Sequence, residues 1–368
     1  MAHQRPPAPA PTRDGALFVS PAYLEPLTRH GCVGPAQGWR PVRLSLGTAA
    51  DAAHAPCYEK SHSWGEFVFD FEIARAYQQH GLSYYPKLVC CVPYTPVPGP
   101  RLLGNTPEQR RALGAALVEQ TERSGASGAH VLYLPEDEQR LLANDAWLPR
   151  DQLRFIWRNR GYRDFDDFLS AMTSKRRKNI GRERARVGEG GFEIRWCDGA
   201  SFDPSQWQAI YALYASTYAM RGQSPYLTLG CLQDWAQAFG PRMRFCLALQ
   251  GGEPVAMAFF FVDGRSLFGR HWGARADYDA LHFELCYYQG IDHCIEQGLE
   301  RFDAGVQGEH KLLRGFEPER AHSAHWFAHD GMRAAIARYF DEERLALAAR
   351  IDALTAHTGL RATPADSR

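Results

Sequence analysis

The chain holds 368 residues, with 42 Lys plus Arg against 42 Asp plus Glu and a formal net charge of zero. That balance excludes a polycation built to coat nucleic acid and an acidic solvating tail. With 45% hydrophobic and 12% aromatic residues, 33 Gly and 23 Pro, the chain is neither disordered nor collagenous, and its length suits two domains of ~100–200 residues.

Residues 1–16 are rich in Pro and Ala, have no apolar core, and read as a disordered leader rather than a secretory signal. A helix is expected over Phe67–His80, where Phe67, Phe71, Ala74 and Tyr77 fall at helical spacing before Gly81. A strand follows at Lys87–Val92, then a Pro-rich loop from Pro93 to Pro100. Thr106 and Pro107 open a helix that runs to about Arg123, with the hydroxyl as cap and Pro at the first position. His130–Leu134 and Leu153–Trp157 read as strands. The second unit begins near Arg163 with a basic helix, Ser174 to Val187, and a strand at Phe192–Trp196. Helices at Ser205–Met220 and Leu229–Phe239 lead into three strands, Arg244–Gln250, Val255–Val262 and Ser266–His271. Gly251-Gly252 and Asp263-Gly264 separate these strands as hairpin turns. A helix over Tyr278–Gln297, a strand at Arg301–Asp303 and a last helix from Met332 complete the order. This is an α+β chain with a mixed sheet, and the strand–loop–helix–strand pattern occurs in both halves. The expected division is 17–160, 161–350 and a tail at 351–368.

The nine cysteines are odd in number and form no C-x-x-C pair, which points to reduced thiols in the cytoplasm and no zinc ribbon. No run of ~18 apolar residues exists, so no membrane span is expected. His282 and Glu284 are two apart on a helix and face different ways, so no metal site is expected.

Four segments carry chemistry. Val97–Thr106 joins a strand to a helix N-terminus, where Arg101, Gly104 and Thr106 can hold an anion such as a pyrophosphate. Tyr58–Asp70 is dense in titratable groups. Lys60, His62 and Glu66 can serve as acid–base groups or substrate contacts, and the Ser63–Glu66 spacing also fits a capping box. From 175 to 186 there are seven basic residues and one acid. Lys175, Arg182 and Arg186 lie near one face of that helix with Lys178 close by, and Lys175, Lys178 and Arg182 can bind phosphates, although charge runs often form only a solvated face. The last segment runs through Arg270, His271 and Trp272, then His282, Glu284 and Gln289, then Asp303 to Gly315. There Glu309 and His310 are candidate general bases. Lys311 and Arg314 are candidate oxyanion or phosphate partners. Asp303 and Gln307 sit in the same glycine-bearing loop.

These residues resemble a known family. Lys60–Asp70, Tyr84-Tyr-Pro-Lys87, Pro93–Leu103, Lys175–Ile180, and Leu281–Glu284 through Gln307–Leu312 together are similar to the bacterial FemAB-like "peptidoglycan biosynthesis/recognition" family, within the GNAT superfamily of acyl-CoA N-acyltransferases. The resemblance spans roughly Tyr23 to Arg338. It implies tandem duplicated GNAT-like domains and transfer of an acyl or aminoacyl group to an amine, with a cell-wall precursor as an acceptor. The implied co-substrate is an acyl-CoA or an aminoacyl-tRNA rather than a tightly bound cofactor, with the basic helix gripping the tRNA. Arg101, Gly104 and Thr106 stand where the family fold places the donor's pyrophosphate, but this loop lacks the full glycine pattern of an acetyl-CoA loop. The alternative is a non-catalytic module that binds an anionic glycan, peptide or nucleotide.

Overall fold

The computed structural model describes residues 14–48, 51–143, 146–306 and 308–361. The leader before residue 14 and the tail beyond 361 lie outside them, as does Gln307. Among the described residues one mixed sheet has eleven strands. In chain order these are β1 (Trp39–Leu46), β2 (Ala53–Lys60), β3 (Lys87–Cys90), β4 (Gly128–Leu134), β5 (Leu148–Arg158), β6 (Glu193–Asp198), β7 (Met243–Gln250), β8 (Glu253–Asp263), β9 (Ser266–Ala274), β10 (Arg301–Asp303) and β11 (Glu317–Phe327). In space they run β1-β2-β3-β4-β11-β5-β10-β9-β8-β7-β6.

The order of strand senses is the same when counted inward from β1 and from β7. Each path meets two antiparallel pairs, then a parallel pair, then an antiparallel pair. The parallel pairs are β3 with β4 and β9 with β10, and β6 is an added edge strand. The last strand of each set is exchanged. β5 follows β4 in the chain but pairs with β10 and β11. β11 follows β10 but pairs with β4 and β5.

Helices cover both faces. They are α1 (Pro21–Arg29), α2 (Phe71–Gln79), α3 (Pro107–Ser124), α4 (Glu136–Ala143), α5 (Phe165–Ser170), α6 (Ser174–Glu189), α7 (Pro204–Ala219), α8 (Leu229–Phe239), α9 (Leu281–Phe283), α10 (Gln289–Gln297) and α11 (Asp330–Thr355). Along β8 the side chains alternate as a strand requires. Phe259 and Phe261 face α1, α7 and α8 with Tyr23, Leu213 and Trp235. Phe260 faces α5, α6 and α10 with Phe168, Ile180 and Ile291. Leu113 and Leu117 of α3 pack on Leu88 and Val131, and α11 packs Ile336 and Phe340 against Tyr77 and Phe327. Each such side chain, fully buried, contributes ~1.5–3 kcal/mol.

Three expectations shift. The Phe67–His80 helix starts at Phe71, because Phe67 takes a left-handed φ of 61° and the preceding loop turns its carboxylates inward. The Tyr278–Gln297 helix starts at Leu281 and passes through a π turn at Glu284–Tyr288 before α10. The Ser63–Glu66 capping box does not form, since Lys87 donates to Ser63 Oγ (2.9 Å) and Glu66 Oε2 (2.8 Å). In contrast, α3 carries a full capping box between Thr106 and Gln109 and ends at Gly125 in the left-handed region.

Candidate functional site

The two parallel pairs each part at one end, and the ends differ. In the first half, β3 stops at Cys90 while β4 runs on to Leu134. The Pro-rich loop folds back over this opening. Arg101 is fully buried there and donates to the carbonyls of Leu132 (2.9 Å), Gly99 (3.0 Å), Pro100 (3.1 Å) and Val97 (2.5 Å). The guanidinium that sequence reasoning assigns to an anion therefore closes a backbone gap. Gly104 packs onto α3, where an added Cβ would lie 2.9 Å from that of Gln109, and the Thr106 hydroxyl is taken by the Gln109 N–H. This helix start is filled by its own side chains and is not an anion cradle.

In the second half, β10 pairs with β9 only at Ser266, Leu267 and Phe268. β9 then continues to Ala274 while β10 ends at Asp303. A bulge helps the parting. Phe259 faces His271 and Phe260 faces Gly269, which leaves Arg270 without an opposite residue in β8. A cavity of about 180 Å³ opens here, lined by Arg270, His271, Trp272, His282, Cys286 and Tyr287. His282 packs edge-on against Trp272 and Tyr287, and burial holds its ring at about 4, with His310, Arg314 and Lys311 adding to the effect. His271 is likewise held well below its ordinary value by burial and then by Arg270. Both rings are therefore neutral near pH 7.

Beside the cavity, the chain leaves β10 through Gly305 and forms a short 3-10 turn at Glu309–Arg314. Lys311 is 1% exposed and donates to the Gly305 carbonyl (2.5 Å). Burial lowers its ammonium to about 8, against the opposing pull of Asp303. His310 Nε2 lies 2.8 Å from the Tyr287 hydroxyl. Asp303 accepts from Arg154 Nη2 (2.5 Å) and from the Gly305 N–H (3.0 Å), so β5, β10 and the loop meet at one carboxylate.

Other expected site residues lie elsewhere. Arg314 is saturated by Glu183 (2.9 Å to both oxygens), the Tyr288 hydroxyl and the His310 carbonyl, and it stacks on Phe283. It fixes the turn against α6 rather than meeting an oxyanion. Glu309 is exposed and paired with Arg350 of α11, which turns it away as a base. Glu284 and Gln289 bond to each other, to Arg184 and to Trp196, so they clamp α10 instead of a substrate. Arg270 does line the cavity, but its guanidinium reaches across to Tyr94 O (2.6 Å) and Thr95 Oγ1 (3.2 Å) and ties the two halves. Lys60 and Glu66 are buried. Lys60 rests on the Trp39 ring at 3.5 Å, and Glu66 pairs with Lys87. His62 Nδ1 accepts from the Trp64 N–H (3.2 Å) in the same loop, apart from the cavity. Lys175, Lys178 and Arg182 share the exposed face of α6 and form no ion pair, whereas Arg184 and Arg186 are paired.

Sequence reasoning did not single out Arg154, Cys286, Tyr287 or Glu183. Each is a single residue in a regular element, where no spacing marks it. Among the described residues no helix is long and apolar enough to cross a membrane.

The comparisons with known proteins agree with this architecture. No curated protein matches the chain in sequence. The crystal structure of FemX is 10% identical, with a TM-score of 0.52 over 86% of this chain and 93% of that one. L-PGS from Bacillus licheniformis is also 10% identical, with a TM-score of 0.52 over 87% of this chain and 96% of that one. Both share the fold, the expected α+β arrangement around a large mixed sheet. The family model described as FemAB-like, peptidoglycan biosynthesis/recognition, matches residues 10–362, nearly the whole length, and the chain belongs to that family.

Proposed function

We propose that this protein transfers an acyl or aminoacyl group to an amine of a cell-envelope precursor, and that the chemistry sits in the second of two GNAT-like units, 17–160 and 161–350. The observation that carries this reading is the contrast between the two strand openings. Arg101 plugs the first, and the second keeps a cavity lined by neutral imidazoles beside a buried ammonium. An acceptor amine must lose a proton as it attacks the donor carbonyl. His282 in the cavity or His310, poised by Tyr287, can take it and return it to the donor oxygen or sulfur, which leaves as hydroxyl or thiol when its bond to the carbonyl carbon breaks. Lys311 is placed to stabilise the oxyanion, and its burial strengthens that interaction.

The donor is best read as an aminoacyl-tRNA. Neither crossover helix offers a free start for a pyrophosphate. Thr106 is capped by Gln109, and the turn before α9 carries Asp277 and Asp279. Free cationic groups stand instead on α6, whose Glu183 contacts Arg314 of the turn that holds Lys311. Filter binding of charged tRNA tests the reading. Three phosphate contacts from Lys175, Lys178 and Arg182 predict a roughly 20–40-fold loss of affinity between about 50 and 200 mM salt. Changing all three to Gln should flatten that slope. Thiol release from acetyl-CoA with amine acceptors, without any tRNA dependence, would instead favour an acyl-CoA donor.

A further inference from the structure

Cysteines meet in this fold in opposite surroundings. Cys57 and Cys90 face each other across β2 and β3, in the core that Leu113 and Leu117 of α3 cover. Both are buried, and burial raises both thiols above their ordinary range. They stay protonated near pH 7 and are poor nucleophiles.

Cys32 and Cys231 contrast with that pair. Cys32 follows α1, and Cys231 is the third residue of α8. Thr228, which caps α8, joins the two. Its N–H donates to Cys32 Sγ (3.4 Å), and its hydroxyl lies 3.6 Å from the same sulfur. Its Oγ1 also accepts from the Cys231 N–H (3.4 Å). Cys32 Sγ therefore sits at the N-terminus of α8, beside the Cys231 thiol, which donates a hydrogen bond to it. These donors and the helix dipole favour a thiolate. The Cys231 thiol first, and then Thr228, hold Cys32 well below its ordinary value against the effect of burial. Cys231 moves the opposite way, because its proton serves that same hydrogen bond. Contacts independent of the sulfurs keep them together. The Tyr94 hydroxyl donates to the Cys32 carbonyl (2.8 Å), and Trp235 of α8 donates to the Tyr23 carbonyl of α1. Cys32 retains 2% exposure and Cys231 none, so a small oxidant meets Cys32 first.

We propose that Cys32 and Cys231 form an oxidation site for a small hydroperoxide and close to a disulfide that staples the end of α1 to α8. The Cys32 thiolate attacks one peroxide oxygen, the O–O bond breaks, and hydroxide leaves as Cys32 becomes a sulfenic acid. The Cys231 thiol then attacks that sulfur. The S–S bond forms as the S–O bond breaks, and the Cys231 proton leaves with the departing hydroxide as water. The two sulfurs give up two electrons, and one hydrogen peroxide, with the protons of both thiols, becomes two waters. The site stands apart from the acyltransfer reading and needs no donor or acceptor.

The test is titration of the reduced full-length protein with hydrogen peroxide at pH 7. The reaction is quenched with N-ethylmaleimide in denaturant, and peptides are mapped by mass spectrometry without reductant. A Cys32–Cys231 peptide, lighter by two hydrogens and restored by dithiothreitol, is expected before any change at Cys57 or Cys90. Cys231→Ser keeps a hydroxyl donor beside Cys32 but cannot resolve the intermediate. This variant should accumulate a Cys32 sulfenic acid, trapped by dimedone added with the denaturant. Cys32→Ser should leave Cys231 unoxidised. Oxidation of Cys57 and Cys90 first, a disulfide from Cys32 to another cysteine, or both thiols still free in excess peroxide would each overturn the proposal. So would a Cys231→Ser protein with no dimedone adduct. If either variant unfolds, the order of oxidation in the unaltered protein decides by itself.

Discussion

Lys311 is the side chain on which the chemistry most depends. Its ammonium is buried and its value lowered to about 8, so its charge falls as pH rises through about 8. Transfer that uses this charge is expected to decline over the same interval in a pH–rate profile. Lys311→Met should lower kcat by ~10²–10³-fold, the usual weight of one oxyanion partner, with tRNA binding retained in the same filter assay. A different pair of residues governs acid stability. His130 and His325 face each other Nδ1 to Nδ1 at 2.9 Å in the core between β4 and β11. Burial lowers His130 to about 3 and His325 well below its ordinary value, so both are neutral in the fold. The unfolded chain takes up these protons first, near pH ~6.5. The stabilisation is therefore complete above that pH and is lost as pH falls toward 3, by up to ~1.4 kcal/mol per pH unit for each ring. Urea unfolding from pH 7.5 down to 4.5 should show this slope, and His130→Asn should reduce it. The candidate site was half legible in the sequence. His282, Asp303 and Lys311 stood out because glycines and titratable groups crowd one stretch. Arg101 and Arg314 stood out for the same reason, yet a guanidinium serves a carbonyl or a carboxylate of its own chain as readily as a ligand. Arg154 had no signal at all, being one arginine in a strand.

At the scale of elements, close approach decides more than propensity. Gly273 on β9 lies against α7, and an added Cβ would sit 1.8 Å from the Leu213 carbonyl oxygen. The Ser216 and Thr217 hydroxyls pin the same helix to the Ala274 and Trp272 carbonyls. Gly273→Ala is expected to push α7 off the strand and cost at least ~1–3 kcal/mol, measured as a lowered urea midpoint with unchanged slope. Thr106→Ala removes one cap from α3 and should cost ~1 kcal/mol without touching the acyl cavity. The helices were legible because caps and spacing are local: Thr106 and Pro107 open α3 where the sequence places them, and Gly298 ends α10. The hairpin strands β7, β8 and β9 were legible for the same reason. β1 and β11 were not. Each carries a proline and charged residues, Arg40, Pro41 and Arg43 in one and Glu317, Pro318, Glu319 and Arg320 in the other. β11 is nevertheless central, and Arg158 and Asp151 of β5, Arg160 just beyond it and Arg301 of β10 pair its charges. The π turn in the helix after β9 also has no sequence mark, and its Leu285 and Tyr288 are buried in the core.

At the scale of the molecule, the exchange of β5 and β11 makes the two halves interdependent. β5, before residue 160, pairs with β10, and β11, far beyond it, pairs with β4. The first helix, α1, also packs on the far half, where the Trp235 indole donates to the Tyr23 carbonyl at 2.9 Å. Calorimetry should therefore show one cooperative transition, and a fragment ending at 160 should lack the near-UV spectrum of a packed core, although it includes five strands and their helices. The same exchange has a consequence during synthesis. β4 emerges from the ribosome long before β11, the strand that must lie beside it. At about 5–20 residues per second, the interval between β5 and β11 is roughly 10–30 s. Throughout that time the nascent first half exposes the flank of β4 as an unpaired edge, and such an edge is open to pairing with another chain. Vectorial growth from the N-terminus thus leaves an assembly window in which a chaperone that shields β-edges should raise the yield of native protein.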